Sequence, residues 1–287
     1  MGDRMKECFS VNTGEVFFHH SYDSKPQPDK FRMHTHGQCE VYCFLAGKGS
    51  FYVEGTQYVL QPGDVLFMDS AESHYIDIEP DVGYERCALQ FRKEYIRRID
   101  PQGKLLEPFE DRPFGKNNLL RRADFPDESF MTVLKLMLIG GDDRELRVTS
   151  NVFPLLCELR RAFGSNREID DTPNETRIQR IIGYINLHLA EALSLDALCD
   201  EFFISKSQLC RLFKNATGSS VWEYITIKRM VLAQQLMRSG VAPTQACVRC
   251  GYNDYSVFYR IYQKHFGHSP RLDHCKDADQ SHENGEV

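Results

Sequence analysis

The chain has 287 residues, 41% of them hydrophobic, and a formal net charge of -6 at pH 7. That length supports two domains with separate cores, and the acidic balance argues at first against a nucleic-acid partner, since phosphate binding is largely electrostatic. No apolar run suits a signal peptide or a membrane span, so a cytoplasmic protein with no membrane association is expected; the ten cysteines are scattered singly and suit reduced thiols better than a disulfide framework.

From Val16 to about Phe91 the chain reads as short alternating strands divided by turn residues: Glu40 to Phe44, Gly47 to Gly49, Ser50 to Val53, then Gln57 to Leu60 beyond Glu54 and Gly55. Closely spaced strands of this kind predict a small antiparallel barrel. From about Asp127 the period becomes helical. Phe130, Val133, Leu134, Met137 and Leu138 share one face, and Leu155, Leu156, Leu159 and Phe163 follow Pro154 on another. This region is expected to connect two domains or to pair with another subunit. Asp170 to Asn174 reads as a linker, with Thr172, Pro173 and Glu175 as a helix start before the apolar face of Ile178, Ile181, Ile182, Ile185 and Leu189.

Beyond this start lies an internal repeat. Leu209, Arg211, Phe213, Gly218 and Ser220 are matched 49 positions later by Phe258, Arg260, Tyr262, Gly267 and Ser269. A short helical segment with a small residue, Cys199 or Cys247, precedes each copy. Each copy therefore reads as helix, tight turn, helix and closing glycine, the form of a helix-turn-helix unit. Leu209, Leu212 and Phe213 are assigned inward, as are Phe258, Ile261 and Tyr262; Ser207, Cys210, Arg211 and Lys214 face out, matched by Ser256, Tyr259, Arg260 and Gln263. Arginine among hydrogen-bonding side chains suits base-edge and phosphate contact, whereas an ordinary solvated face is the plain alternative. The stretch from Ile204 to Arg271 carries +8 while the rest of the chain carries -14, and that asymmetry favours DNA. Ser220 and Glu223 cap a helix running from Val221 to Met237, long enough to hold two recognition helices near the spacing of successive major grooves, about 34 Å. Cys247 and Cys250 form a CxxC with no second pair, and read as packing residues.

The stretch from about Pro173 to Asp273 closely resembles the AraC/XylS-type regulators, most of all in GYNDYSVFYRIYQKHFGHSP (Gly251 to Pro270) and LSLDALCDEFFISKSQLCRLFKNATG (Leu193 to Gly218). The resemblance implies DNA contact by Ser207, Cys210 and Arg211 and by Tyr255, Ser256, Tyr259 and Arg260. Double-stranded promoter DNA, a small-molecule effector and RNA polymerase are the expected partners. A homodimer is expected because the helices from Phe130 to Phe163 offer apolar faces beyond what one barrel needs. Two departures stand out: Phe203 occupies a position that is usually glycine, and Cys199 and Cys247 replace small aliphatic residues.

The N-terminal segment resembles the cupin barrel. His34, His36, Glu40 and Gly47 reproduce HxH, three residues, E, six residues, G, and Pro62, Gly63, Asp64 and His74 resemble the second motif, although Asp69 and Ala71 stand where proline and glycine are common. The resemblance places His34, His36, Glu40, Tyr42 and His74 in an effector pocket. Imidazoles at i and i+2 on a strand share a face, and with Glu40 and His74 they make a three-histidine, one-carboxylate set suited to zinc, nickel, iron or manganese; the alternative is a polar pocket for an organic effector, with no metal. There is no Walker loop, nucleophile elbow or dinucleotide glycine fingerprint, so no enzyme is expected.

The reading is thus an α+β multi-domain chain with no assigned cofactor. A cupin-like, jelly-roll barrel (1–100) senses an effector such as a sugar. A helical connector or dimerisation region (101–172) leads to an all-α domain of two helix-turn-helix modules (173–273) and a polar tail (274–287). The rival is a cupin metalloenzyme fused to a DNA-binding domain, its metal held by His34, His36, Glu40 and His74.

Overall fold

The computed structural model describes residues 6–27, 31–125, 127–165 and 176–275. The chain forms two compact units, one of residues 1–32 and 38–174 and one of residues 33–37 and 175–287. The first contains strands β1 (Lys6–Asn12), β2 (Val16–Asp23), β3 (Cys39–Ala46), β4 (Gly49–Val53), β5 (Thr56–Val59), β6 (Val65–Met68), β7 (His74–Ile78), β8 (Tyr84–Phe91) and β9 (Leu119–Leu120). They form a jelly-roll-like pair of antiparallel sheets, ordered β1-β2-β8-β3-β6-β9 and β5-β4-β7, rather than one sheet closed on itself. Gly47, at φ 132°, makes the expected turn between β3 and β4, in backbone territory that favours glycine.

Strand β3 sits inside the larger sheet, between β8 and β6. Its first six residues are buried, which is why it reads as a nearly continuous apolar run. Val41 and Cys43 face a core shared with helix α1 (Lys93–Ile99), helix α2 (Glu107–Glu110), helix α3 (Ser129–Leu138) and helix α4 (Arg144–Ser165). Tyr42 and Phe44 face a second core with Phe51, Leu66, Ile76 and Tyr84. The apolar faces predicted between Phe130 and Phe163 go mostly to the first core, leaving Leu136, Ile139 and Leu146 exposed. Helix α4 continues through Pro154 because Val148 and Val152 extend the buried stripe of Leu155, Leu156 and Leu159 backwards.

A buried ion pair fastens the chain after β8 to the loop before β7. Arg112 donates to both carboxylate oxygens of Glu72, at 2.7 and 2.5 Å, and that carboxylate also accepts from the backbone of Asp69 and Gly115 and from Asn118. With every lone pair engaged, the cost of burying the charge is offset.

The second unit contains α5 (Arg177–Leu187), α6 (Leu195–Phe202), α7 (Lys206–Thr217), α8 (Val221–Arg238), α9 (Pro243–Arg249), α10 (Tyr255–Phe266) and α11 (Pro270–Cys275). The predicted start at Thr172 to Glu175 lies outside the described residues; α5 begins at Arg177, where Thr176 and Gln179 make the capping box. Helix α8 is buried on several sides, through Val221, Tyr224, Ile225, Met230, Val231, Ala233 and Met237. Its C-terminal half shares a core with Cys247, Cys250, Phe258 and Tyr262, so the two cysteines pack as expected, and burial pushes the Cys250 thiol up to about 12. Asp273 of α11 closes this core, accepting from Tyr262 at 2.5 Å, Gln234 at 3.1 Å and Arg238 at 2.9 Å.

Both departures from family glycines fall on left-handed backbone, Ala71 at φ 70° and Phe203 at φ 50°. Phe203 ends α6 with its ring 90% exposed, so the side chain returns little packing for its strain. Phe203→Gly should therefore stabilise the second unit by about 0.5–1 kcal/mol in chemical denaturation of the full chain. Equal or lower stability would show that the ring compensates for the backbone.

Candidate functional site

The two helix-turn-helix modules are α6 with α7 and α9 with α10. Equivalent positions start the second helix of each. Ser205 accepts from Gln208 N at 3.3 Å, and Asp254 accepts from Ser256 N at 2.7 Å and Val257 N at 3.2 Å. Equivalent glycines end them, Gly218 at φ 70° and Gly267 at φ 76°. Between these ends Leu209 and Phe213, and Phe258 and Tyr262, are buried as expected. Leu212 was assigned inward and is not: it is 37% exposed, because the inner stripe of α7 is narrow and the next turn is closed by Thr217.

The outward positions are as the repeat predicts. Ser207, Cys210, Arg211 and Lys214 are exposed on α7, and Tyr255, Ser256 and Arg260 on α10, with Tyr259 and its ring half-buried beside that of Tyr255. The basic residues of this stretch divide into two groups. Lys206 pairs with Asp196, Lys228 lies over the Tyr224 ring, Arg238 pairs with Asp273, and Arg229 is committed to backbone carbonyls. Arg211, Lys214, Arg249, Arg260, Lys264 and Arg271 are exposed. The positive charge that a phosphate would meet is therefore carried mainly by the second helices and their flanks.

Sequence reasoning missed Arg229. Its guanidinium donates to Leu189 O at 2.8 Å and Glu191 O at 2.7 Å after α5, and to Gly251 O at 3.2 Å after α9, while stacking over Tyr252. One side chain on α8 thus ties the first module to the second. Gly251 is at φ 86°, and a Cβ there would come within 2.9 Å of both that guanidinium and Leu189 O. An arginine inside a mostly apolar helix was the available signal.

In the predicted sensor site, one ligand atom from each of His34, His36, Glu40 and His74 lies within 4.8 Å of all the others. Glu40 and His74 are buried, His36 is half-buried and His34 is exposed. The HxH pair is not inside a strand, as parity supposed, but on the segment leading into β3, with ring centroids 6.1 Å apart. Glu40 and His74 meet across the two sheets, with His74 Nε2 at 3.6 Å from the carboxylate, and Gln90 also donates to Glu40 at 2.9 Å. The carbonyl of Glu72 lies 2.9 Å from His74 Nδ1 and so turns Nε2 toward the cluster. Burial works to lower the His74 pKa, but the Glu40 carboxylate outweighs it and the pKa is raised. Ligands at about 2.0–2.2 Å from a metal lie roughly 3–4.4 Å from each other, so the donor set fits a divalent ion after a small contraction. Tyr42 stands one inward position along β3, its hydroxyl 2.5 Å from that of Tyr84.

Comparisons with known proteins agree with both halves. Residues 22–129 match the family model described as an AraC-like ligand binding domain, and residues 198–272 match a helix-turn-helix domain. The chain is similar to the HTH-type transcriptional activator RhaS of Escherichia fergusonii, 25% identical over 84% of this chain and 86% of that protein. It is also similar to RhaS of Citrobacter koseri, 21% identical over the same shares. Among solved structures, the AraC-like transcriptional activator CuxR aligns over 78% of this chain and 79% of its own, with 17% identity and a TM-score of 0.39. No helix among the described residues is long and apolar enough to cross a membrane.

Proposed function

Because the chain belongs to the AraC/XylS-type transcriptional regulators, we propose that its N-terminal unit binds a small polar effector and thereby controls how two recognition helices, α7 and α10, engage a promoter. The observation that carries this reading is the duplicated outward face, Arg211 with Ser207, Cys210 and Lys214 on one helix, and Arg260 with Tyr255, Ser256 and Tyr259 on the other. Helix α8, at 18 residues, is about 27 Å long and sets the two modules on one body. Consecutive major grooves on one face of a duplex then receive α7 and α10.

The relatives named above are activators, and the proposed sign of regulation is activation, with RNA polymerase as the further partner. The effector is held on the inner face of the sheets, with His34, His36, Glu40, Tyr42 and His74. A homodimer would use what α3 and α4 leave exposed, Leu136, Ile139 and Leu146.

The test of the DNA interface is a panel of single-base variants of an operator selected from random duplexes, measured at several salt concentrations. Arg211→Ala and Arg260→Ala should each cost about 1–3 kcal/mol and relax preference at a different part of the site. Lys214→Ala should weaken binding to every variant alike and reduce the salt slope by about one unit. Uniform loss in both arginine variants would make them phosphate contacts instead.

A second reading rests on the four clustered ligand atoms. His34, His36, Glu40 and His74 would hold a divalent ion, which when bound supplies Lewis acidity. Elemental analysis of protein purified without added metal decides between them. The sensor reading expects substoichiometric metal; stoichiometric iron or manganese, lost in Glu40→Gln, would favour a metalloenzyme.

A further inference from the structure

The strands β2 and β8 place Ser21 directly opposite Arg86. On the other side of β8, Arg86 is opposite Phe44, whose ring lies in the core between the two sheets. By strand parity Ser21, Arg86 and Phe44 form one inward row, two residues along β8 from Ala88 and four from Gln90, the partner of Glu40. This row is therefore separate from the histidine cluster.

Its polar atoms are incompletely satisfied. Arg86 Nη1 and Ser21 Oγ are both buried, and neither has a hydrogen-bond partner among the described residues. The guanidinium lies over the rings of Tyr84, at 4.8 Å, and Phe31, at 5.3 Å, which fix its plane. Tyr84 shares a short hydrogen bond with Tyr42. Burial raises both hydroxyl pKa values, that of Tyr84 to about 12 against the opposing charge of Arg86, so both protons are kept. One proton joins the two oxygens, and the other is left to donate elsewhere. Buried donors without acceptors carry a free-energy cost that a ligand oxygen would relieve.

Three kinds of donor thus lie on neighbouring rows of this inner face: the guanidinium and the serine hydroxyl on one, the tyrosine pair on the rows either side. A neutral polyol brings donors as well as acceptors, whereas a carboxylate brings acceptors only. We propose that Arg86, with Ser21 and the Tyr42–Tyr84 pair, is an anchoring subsite for the carboxylate of a small organic acid, so that the effector is an acid rather than a neutral sugar. Asp23, buried opposite Tyr84, and Glu40 lie on the same inner surface. With these two carboxylates near a single guanidinium, a monoanion is favoured over a phosphate dianion. The proposal rests on the reading of this inner face as the effector site.

The experiment is thermal unfolding of the full chain with matched probes at equal ionic strength: acetate against acetamide, and D-glucuronate against D-glucose and D-glucose 6-phosphate. The carboxylates should raise the melting temperature by a few degrees over their neutral partners. Arg86→Gln should abolish that difference, and Arg86→Lys should keep part of it. Ser21→Ala, a smaller change, should weaken it and serves if Arg86→Gln does not fold. Equal shifts from acid and neutral partners would overturn the acid subsite while leaving a small-molecule sensor in place. A carboxylate shift that survives in Arg86→Gln, a larger shift from the phosphate ester, or no shift from any carboxylate would also overturn it. DNA binding by the same preparation reports separately on the regulator reading.

Discussion

Everything the second unit does depends on α8 being buried on more than one side. A helix that serves a single core needs one apolar stripe. Here Tyr224 packs against Phe213 of the first module, and Met230, Ala233 and Met237 share the core of the second. The modules therefore share a strut instead of a linker. Arg229 adds a polar constraint to that strut, since its guanidinium serves carbonyls at the ends of both α5 and α9. Removing it would free two half-buried carbonyls, those of Leu189 and Gly251, and an exposed one, that of Glu191, and would untie the segment after α5 from the end of α9. Two recognition helices can then be presented with a fixed separation and a fixed relative rotation.

The first unit solves a different problem. A sensor needs an interior that is polar in places yet still folds, and β3 divides these tasks between its two faces. Val41 and Cys43 contribute to the apolar core against the helices, while Glu40 and Tyr42 turn polar atoms toward the smaller sheet. The Glu72–Arg112 pair supports this from beside His74. It holds the loop before β7, and the carbonyl of the same Glu72 orients His74. The incompletely satisfied donors, Ser21 Oγ and Arg86 Nη1, lie on the other side of the inner face.

Much of this was legible in the residues. The 49-residue repeat located both modules and their closing glycines, because turn geometry is a local property that short motifs encode; the caps of the second helices, Ser205 and Asp254, came with the structure. The histidine cluster was legible for the same reason, although its HxH pair proved to precede the strand. Contacts between distant segments were not legible. The burial of α8 on several sides blurs its amphipathic pattern, so the sequence marked its length but not its double role. Arg229 counted as one more positive charge for DNA, and its actual partners are carbonyls 22 to 40 residues away in the chain. Leu212 followed the apolar period yet reached the surface. Arg86 and Ser21 are 65 residues apart, and only the β2–β8 register brings them together. The glycine departures at Ala71 and Phe203 were visible as differences, but their meaning came from the backbone angles.

The central claim is that α7 and α10 read one face of a duplex as a rigid pair. It is tested most directly by binding the full chain to a selected operator whose two halves are moved apart by about half a helical turn, and then by about a full turn. A rigid pair predicts that the half-turn insertion costs as much affinity as scrambling one half-site, and that Arg229→Ala lessens this penalty by loosening the pair. Affinity that is indifferent to the half-turn insertion in the wild-type protein would contradict the account, because the modules would then be reading DNA independently.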